Sequence, residues 1–208
     1  MSRAETKAAT RSRIVEAALD ELIEVGYAGA RLESIARRAS VSIGNLFWHF
    51  RNKEDLCLSI LRPTQDAMLA SLRSVESVVL RFEKLESISP ELDAFLRTNA
   101  RFLTQHRKET FVLFERAVGT PFLGLRAELV HFAADLVRQA VEQEARRCDV
   151  KPRYDPSWGG MLGNSMAHAY ADIALRCEDE AEALHAVRDV VWLLFLAPVM
   201  AMVERQSH

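Results

Sequence analysis

The stretch Ser40-Val41-Ser42-Ile43-Gly44-Asn45-Leu46-Phe47-Trp48-His49-Phe50 decides how this chain is read. It has the form of a turn followed by a short helix. Leu46 and Phe50, four residues apart, share one helical face and can pack inward. Gly44, Phe47 and Trp48 fall on the opposite side, with Asn45 and His49 on the flanks. A Gly-Phe-Trp strip gains nothing by facing water alone, and is explained if it lies against a partner. A DNA major groove with its phosphate walls suits it. Gly44 permits close backbone approach, Asn45 offers a base edge both a donor and an acceptor, and Trp48 and His49 can pack and hydrogen-bond along phosphates. An isolated aromatic stripe more often belongs to a core or a protein interface, so the flanking chain has to decide.

Upstream, residues 1–9 are polar and expected to fray, with Arg3 and Lys7 as a basic arm. Thr10 can cap a helix running to about Val25 and stopped by Gly26, with Ile14, Ala18, Leu22 and Val15, Leu19, Ile23 as its apolar face. A second helix, about Leu32 to Ala39, buries Leu32, Ile35, Ala36 and Ala39 and leaves Arg37 and Arg38 outside. Three short helices in about fifty residues, the last with an odd outer face, outline a helix-turn-helix.

Charge supports that outline. The whole chain carries a formal −2, yet residues 1–53 hold nine Lys/Arg against six Asp/Glu, and the remainder 18 against 23. A basic head on an acidic body fits a nucleic-acid partner for the head alone. Cys57, Cys148 and Cys177 stand far apart without a CxxC pair, which points to a reducing cytoplasm. The most apolar run, Val190 to Val203, reads as too short to span a bilayer and is interrupted by Pro198, so no membrane role is expected.

From Thr10-Arg11-Ser12-Arg13-Ile14 through Gly26-Tyr27, Ile35-Ala36 and Ala39 to Lys53-Glu54-Asp55-Leu56, the anchors sit in register without a gap. This first quarter resembles the N-terminal domain of the tetracycline-repressor (TetR) family of bacterial transcription regulators. The resemblance implies an all-helical homodimer with a ligand-responsive C-terminal domain. It also implies that Ser42, Ile43, Gly44 and Asn45 face bases, that Phe47, Trp48, His49 and Lys53 hold the DNA backbone, and that Thr10 reaches a phosphate.

The sequence departs from the family pattern in four places. Ser40 stands where Gly is usual, at a cost of about 1 kcal/mol if the residue is left-handed. Ala30-Arg31 replaces the usual Thr or Ser cap of the second helix. Phe47 replaces a common Tyr and loses its hydroxyl. Ile43 replaces a polar or basic residue, shifting preference toward a thymine methyl.

Beyond Lys53 the pattern is helical almost to the end. A connecting helix runs past Pro63 to about Leu80, bent or broken there, and a break follows at Leu85 to Pro90. Helices follow over about Pro90–Gln105, Lys108–Val118 and Leu123–Cys148, the last apolar at Leu125, Leu129, Phe132, Ala133, Leu136 and Val137. A loop at Lys151 to Pro156 leads to two more, about Pro156–Cys177 and Asp179–Val203. The first of these is rich in small residues and the second is apolar nearly all round, so a four-helix interface between two copies would bury both. The fold class is therefore all-α, with a helix-turn-helix domain over residues 1–53 and a helical ligand-binding and dimerisation domain over 54–208.

No catalytic constellation is found. Gly163-Asn164-Ser165 lacks the second glycine of a nucleophile elbow, and no Gly-rich phosphate loop exists. His131 with Asp135, and His168 with Asp172, read as plain hydrogen-bonding pairs, so neither a metal nor a cofactor is expected. Most aromatics of the middle helices are core, but a regulator's pocket would be lined by a subset. The candidates are Phe95, Phe102, Phe114, Phe132 and Met161, with Asn99, Asn164, His168 or Tyr170 as sparse polar handles.

The reading is a homodimeric repressor of a palindromic double-stranded DNA operator, joined through its last two helices and released by a small apolar or amphipathic effector. Its rival is a helical ligand-binding or scaffold protein whose degenerate helix-turn-helix has lost operator specificity.

Overall fold

Every described element of the chain is helical, as the periodicity predicts. The structure, a computed structural model, describes residues 3–79, 89–151 and 155–204. Most of the break expected at 85–90, the end of the connecting helix at 80 and most of the loop before Pro156 lie outside these residues.

The head is built from α1 (Arg3–Gly29), α2 (Leu32–Arg38) and α3 (Ile43–His49). Helix α1 starts earlier than expected. The segment 3–9 is helical, so Thr10 sits inside α1 and not at its cap, buried, with its hydroxyl accepting from Arg13 at 3.5 Å. Alternation of Ala4, Ala8 and Ala9 with charged residues is a helix former, and polarity had disguised it. Gly26 ends the regular helix as read, with φ 67° and ψ 174°, values that suit a residue without Cβ. Helix α2 starts at Arg31 with no side-chain cap, as Ala30-Arg31 foretells.

The turn after α2 closes by a double bond pattern, Val41 N–H to Ala36 O at 3.0 Å and Ser40 N–H to Arg37 O at 3.1 Å. It requires a left-handed residue, and Ser40 supplies it at φ 55°. Ser42 then caps α3, accepting from the Asn45 N–H at 3.1 Å.

Helix α4 (Lys53–Val79) leaves the head and runs through Pro63 without ending. The body adds α5 (Pro90–Gln105), α6 (Arg107–Glu115), α7 (Leu123–Arg147) and α8 (Pro156–Arg176). It closes with α9 (Glu180–Val191), a π turn (Trp192–Leu196) and α10 (Ala197–Glu204). Ser89, Asp155 and Asp179 cap α5, α8 and α9 by accepting from Leu92, Ser157 and Glu182. The side chain of Leu125, expected on the inner face of α7, lies outside the description.

One expectation about the C-terminal run is corrected. Pro198 does not cut it: Glu180–Val203 is one helical run, long and apolar enough by length and composition to cross a membrane. The wide π turn just before Pro198 gives its ring room where an α-turn would clash. Val187, Val191, Phe195, Leu196 and Val199 on this run are buried in the body's core, so its apolarity serves the fold on that side.

The small residues of α8 also act differently than read. Gly159, Gly163, Ala167, Ala171 and Ala174 are buried inside the chain. A Cβ on Gly163 would stand 2.9 Å from Val130 O and 3.1 Å from its Cα, so the close approach they permit is to α7 of the same chain. Trp158 and Met161 are left on the outside of α8, and Trp192 and Leu193 on the π turn.

The core of the head does not stop at residue 53. Leu56, Cys57, Ile60 and Leu61 of α4, and Val112, Leu113 and Phe114 of α6, join Ile14, Leu22, Ile35 and Leu46 in one cluster. Ion pairs brace the same seam: Lys108 on α6 meets Glu16 and, at 2.6 Å, Asp20 of α1, and Arg116 donates to Ile23 O at 3.1 Å. Helix α6 is thus fastened to α1 while Phe114 lines the interior of the body.

Candidate nucleic-acid interface and interior cavity

Leu46 and Phe50 anchor α3 in the core, as their spacing requires, and rotate the rest of the helix outward. Ile43, Gly44, Asn45, Phe47 and Trp48 are exposed, Trp48 to 63 %. Of the nine residues expected to meet DNA, these five form one continuous outer face. Ser42 is exposed but its hydroxyl is engaged in capping. His49 is half-buried, with its ring 4.8 Å from that of Trp48 in an edge-on contact.

Two of the nine are turned inward. Thr10 is buried in α1, and Lys53 donates to Tyr27 O at 2.7 Å and Ala30 O at 3.0 Å while lying over the Tyr27 ring. Those carbonyls end α1 just where Gly26 breaks it, and an ammonium is the natural group to satisfy them. Lys53 therefore clamps the α1–α2 connection.

The cations beside α3 come instead from the N-terminal segment of α1. Lys7 Nζ lies 4.3 Å from the centre of the Trp48 ring, and the Arg11 guanidinium 5.2 Å from that of Phe50. Neither has a carboxylate partner among the described residues. Lys7 was legible as part of a basic arm; Arg11 was not singled out, although its i, i+4 spacing from Lys7 puts both on one helical face. Arg38, read as standing outside the packed face of α2, is committed to Glu21 at 3.0 Å and to Glu24. Burial, then the nearby positive charge of Lys7 and Arg11, hold the His49 imidazole below its ordinary value, so it is neutral at pH 7.

The second feature is a cavity of about 120 Å³ in the body, partly open to solvent and walled by α4, α5, α6, α7, α8, α9 and the π turn. Phe95, Asn99, Phe102, Phe114, Phe132 and Tyr170 line it, six of the nine candidates. Met161, Asn164 and His168 do not. All three are exposed on the outer face of α8, because the helix turns Gly163, Met166, Ala167 and Tyr170 inward at i, i+3, i+4 and i+7. His168 Nδ1 meets Glu115 of α6 at 2.7 Å, and His131 Nδ1 meets Ala127 O of its own helix at 2.7 Å. Among the described residues no group of three His, Cys, Asp or Glu is placed to hold a metal. Met68 and Ser71 of α4 also line the cavity, so the helix that leaves α3 forms part of its wall.

Comparison with known proteins falls along the same division. Residues 14–60 match the profile of the bacterial regulatory proteins of the tetR family. The HTH-type transcriptional regulator RutR of Escherichia coli K12 is 40% identical over 72 residues, which is 35% of this chain and 34% of RutR. SrpR of Pseudomonas putida is 36% identical over 78 residues, 34% of this chain and 37% of SrpR. The match thus takes in about a third of the length of these relatives.

Solved structures extend the likeness in fold across the chain. The fatty acid degradation regulator FadR of Bacillus halodurans has a TM-score of 0.55 at 18% identity, covering 89% of this chain and 94% of that one. The TetR family transcriptional regulator PfmR of Thermus thermophilus has 0.54 at 18%, covering 88% and 97%. The three-helix head is thus matched in sequence to the tetR family of bacterial regulatory proteins, and the helical body shares the fold of solved TetR-like regulators.

Proposed function

We propose that this chain is a DNA-binding transcription regulator, a repressor that holds a palindromic operator as a homodimer and lets go when a small apolar or amphipathic ligand enters the body. It acts in the cytoplasm and performs no chemistry of its own. The observation that carries the reading is the outer face of α3. Ile43, Gly44, Asn45, Phe47 and Trp48 are exposed together, beside Lys7 and Arg11. Such a face pairs base-edge contacts with phosphate neutralisation. Asn45 takes the base-reading role and Ile43 favours a thymine methyl. Trp48 and Lys7 lie along the backbone.

The dimer is formed through α8 and the last helical run, where Trp158, Met161, Trp192 and Leu193 are exposed. Two-fold pairing sets the recognition helices about one DNA turn apart, on the order of 34–36 Å. Release works by population shift. A ligand in the cavity touches Ser71 of α4 and Phe114 of α6, two helices fixed to the head, and favours a dimer whose recognition helices are mis-spaced.

The test is selection of random duplex DNA by the full-length protein at near-physiological salt. Enrichment of a palindrome is expected. A folded protein that enriches nothing, and whose sequence-blind binding vanishes as salt rises, would instead support the degenerate-head reading. The inward turn of Lys53 and the missing hydroxyl at Phe47 are what favour that alternative.

A further inference from the structure

The cavity's wall restricts what it can take. Its lining contains no Lys, Arg, His, Asp or Glu among the described residues. A charged group entering it would lose its water and find no counter-charge. The aromatic rings of Phe95, Phe102, Phe114, Phe132 and Phe195 dominate the surface, and flat apolar bodies pack well against such rings.

Among the described residues, polar contact is confined to three side chains, Ser71, Asn99 and Tyr170. Asn99 spends its Nδ2 on Phe95 O at 3.0 Å, one turn back, which leaves its Oδ1 as an acceptor. Tyr170 has no hydrogen-bond partner among the described residues, although its ring is packed against both core clusters. Burial pushes its phenol up to about 12, so it remains a neutral donor and acceptor at any working pH. A cavity-lining hydroxyl without a protein partner among the described residues is one that a ligand's polar group can satisfy.

Size narrows the class again. The volume, about 120 Å³, is comparable to the ~150 Å³ apolar cavity that admits one benzene ring.

Resting on the regulator reading above, we propose that the cavity takes a compact, uncharged, ring-sized molecule bearing a single hydroxyl or carbonyl, which pairs with Tyr170 and Asn99. Specificity then has two parts. The phenylalanine wall selects an apolar body, and the Tyr170–Asn99 pair selects one polar group and rejects a carboxylate.

Three probes of one skeleton test this on the full-length protein: 4-ethylphenol, ethylbenzene and 4-ethylbenzoate, titrated by calorimetry at about pH 7.5, where the first two are neutral and the third is a carboxylate. The phenol is expected to bind about tenfold more tightly than ethylbenzene, and the benzoate at least about a hundredfold more weakly than the phenol. In Tyr170→Phe and Asn99→Leu, both conservative in shape, the phenol should lose its advantage while ethylbenzene binds as before. Benzoate binding as tightly as the phenol would overturn the neutral-ligand assignment yet leave a ligand-responsive body intact. An advantage of the phenol that survives both substitutions overturns the role of the pair. If none of the three binds a folded protein at millimolar concentration, the cavity is packing space, and ligand release falls with the proposal.

Discussion

This chain exposes large apolar side chains in two places, and their neighbours differ. On α3, Phe47 and Trp48 stand beside Lys7 and Arg11, cations that rest on aromatic rings and have no carboxylate partner among the described residues. On the body, Trp158, Met161, Trp192 and Leu193 stand on helices whose described arginines are already paired. Arg176 pairs with Asp172 at 2.6 Å, and Arg188 meets Asp93. Aromatic surface beside unspent positive charge suits a polyanion; the same surface without net charge suits another apolar face. The neighbouring charges, not the exposed rings, separate the two roles.

The largest expected effect tests the body surface. Met161 and Leu193 are 54 % and 63 % exposed, so Met161→Asp with Leu193→Asp should leave the folded chain intact. In a dimer both carboxylates would be buried without partners, at a cost of several kcal/mol. Sedimentation equilibrium should then report the 23.5 kDa chain in place of a dimer, and tight operator binding should disappear with it. An unchanged dimer mass would move the interface off this face and break the comparison.

A smaller effect tests the head. Trp48→Ala removes an exposed ring and should weaken operator binding by about tenfold, roughly 1.4 kcal/mol, with thermal stability unchanged. Folded Trp48→Ala with full affinity would show that the α3 face does not meet DNA.

The same contrast explains what could be read from sequence. The α3 face was legible because its pattern is local: Leu46 and Phe50 fix the inner side of a single short helix, and everything else on it must point out. Ser40 was legible for the same reason, since the turn allows only a left-handed residue there. Partners that depend on how distant helices meet were not. Lys53 looks like a phosphate ligand until α1 and α2 bring the carbonyls of Tyr27 and Ala30 to it. Likewise Asn164 and His168 were attractive polar handles, but the register of α8 is set by Gly163 against Val130, which sends them outward. Five of the cavity's aromatic and amide side chains could be named, yet Tyr170 was only one option among four, because the sequence gives no sign of which polar group lacks a partner.

The smallest predicted effect is a pH dependence, and its sign separates folding from DNA binding. Burial and the charges of Lys7 and Arg11 hold His49 below its ordinary 6.5. The unfolded chain therefore binds more protons than the folded one as pH falls from 6.5 through the lower folded value, and stability declines over that window. Phosphates at the same site reverse the balance, since they offset the neighbouring cations and favour imidazolium. Operator affinity should then rise a few-fold between about pH 7.5 and 5.5 while the free protein becomes slightly less stable. His49→Gln should flatten both trends. Lys7→Ala should shrink the stability trend by removing one repulsive neighbour, and should also lower the salt dependence of DNA binding by about one ion. An operator affinity that falls with acid in the wild-type chain, and is flat in His49→Gln, would place His49 away from the phosphates and leave the uncancelled charge of Lys7 and Arg11 to carry the backbone contact alone.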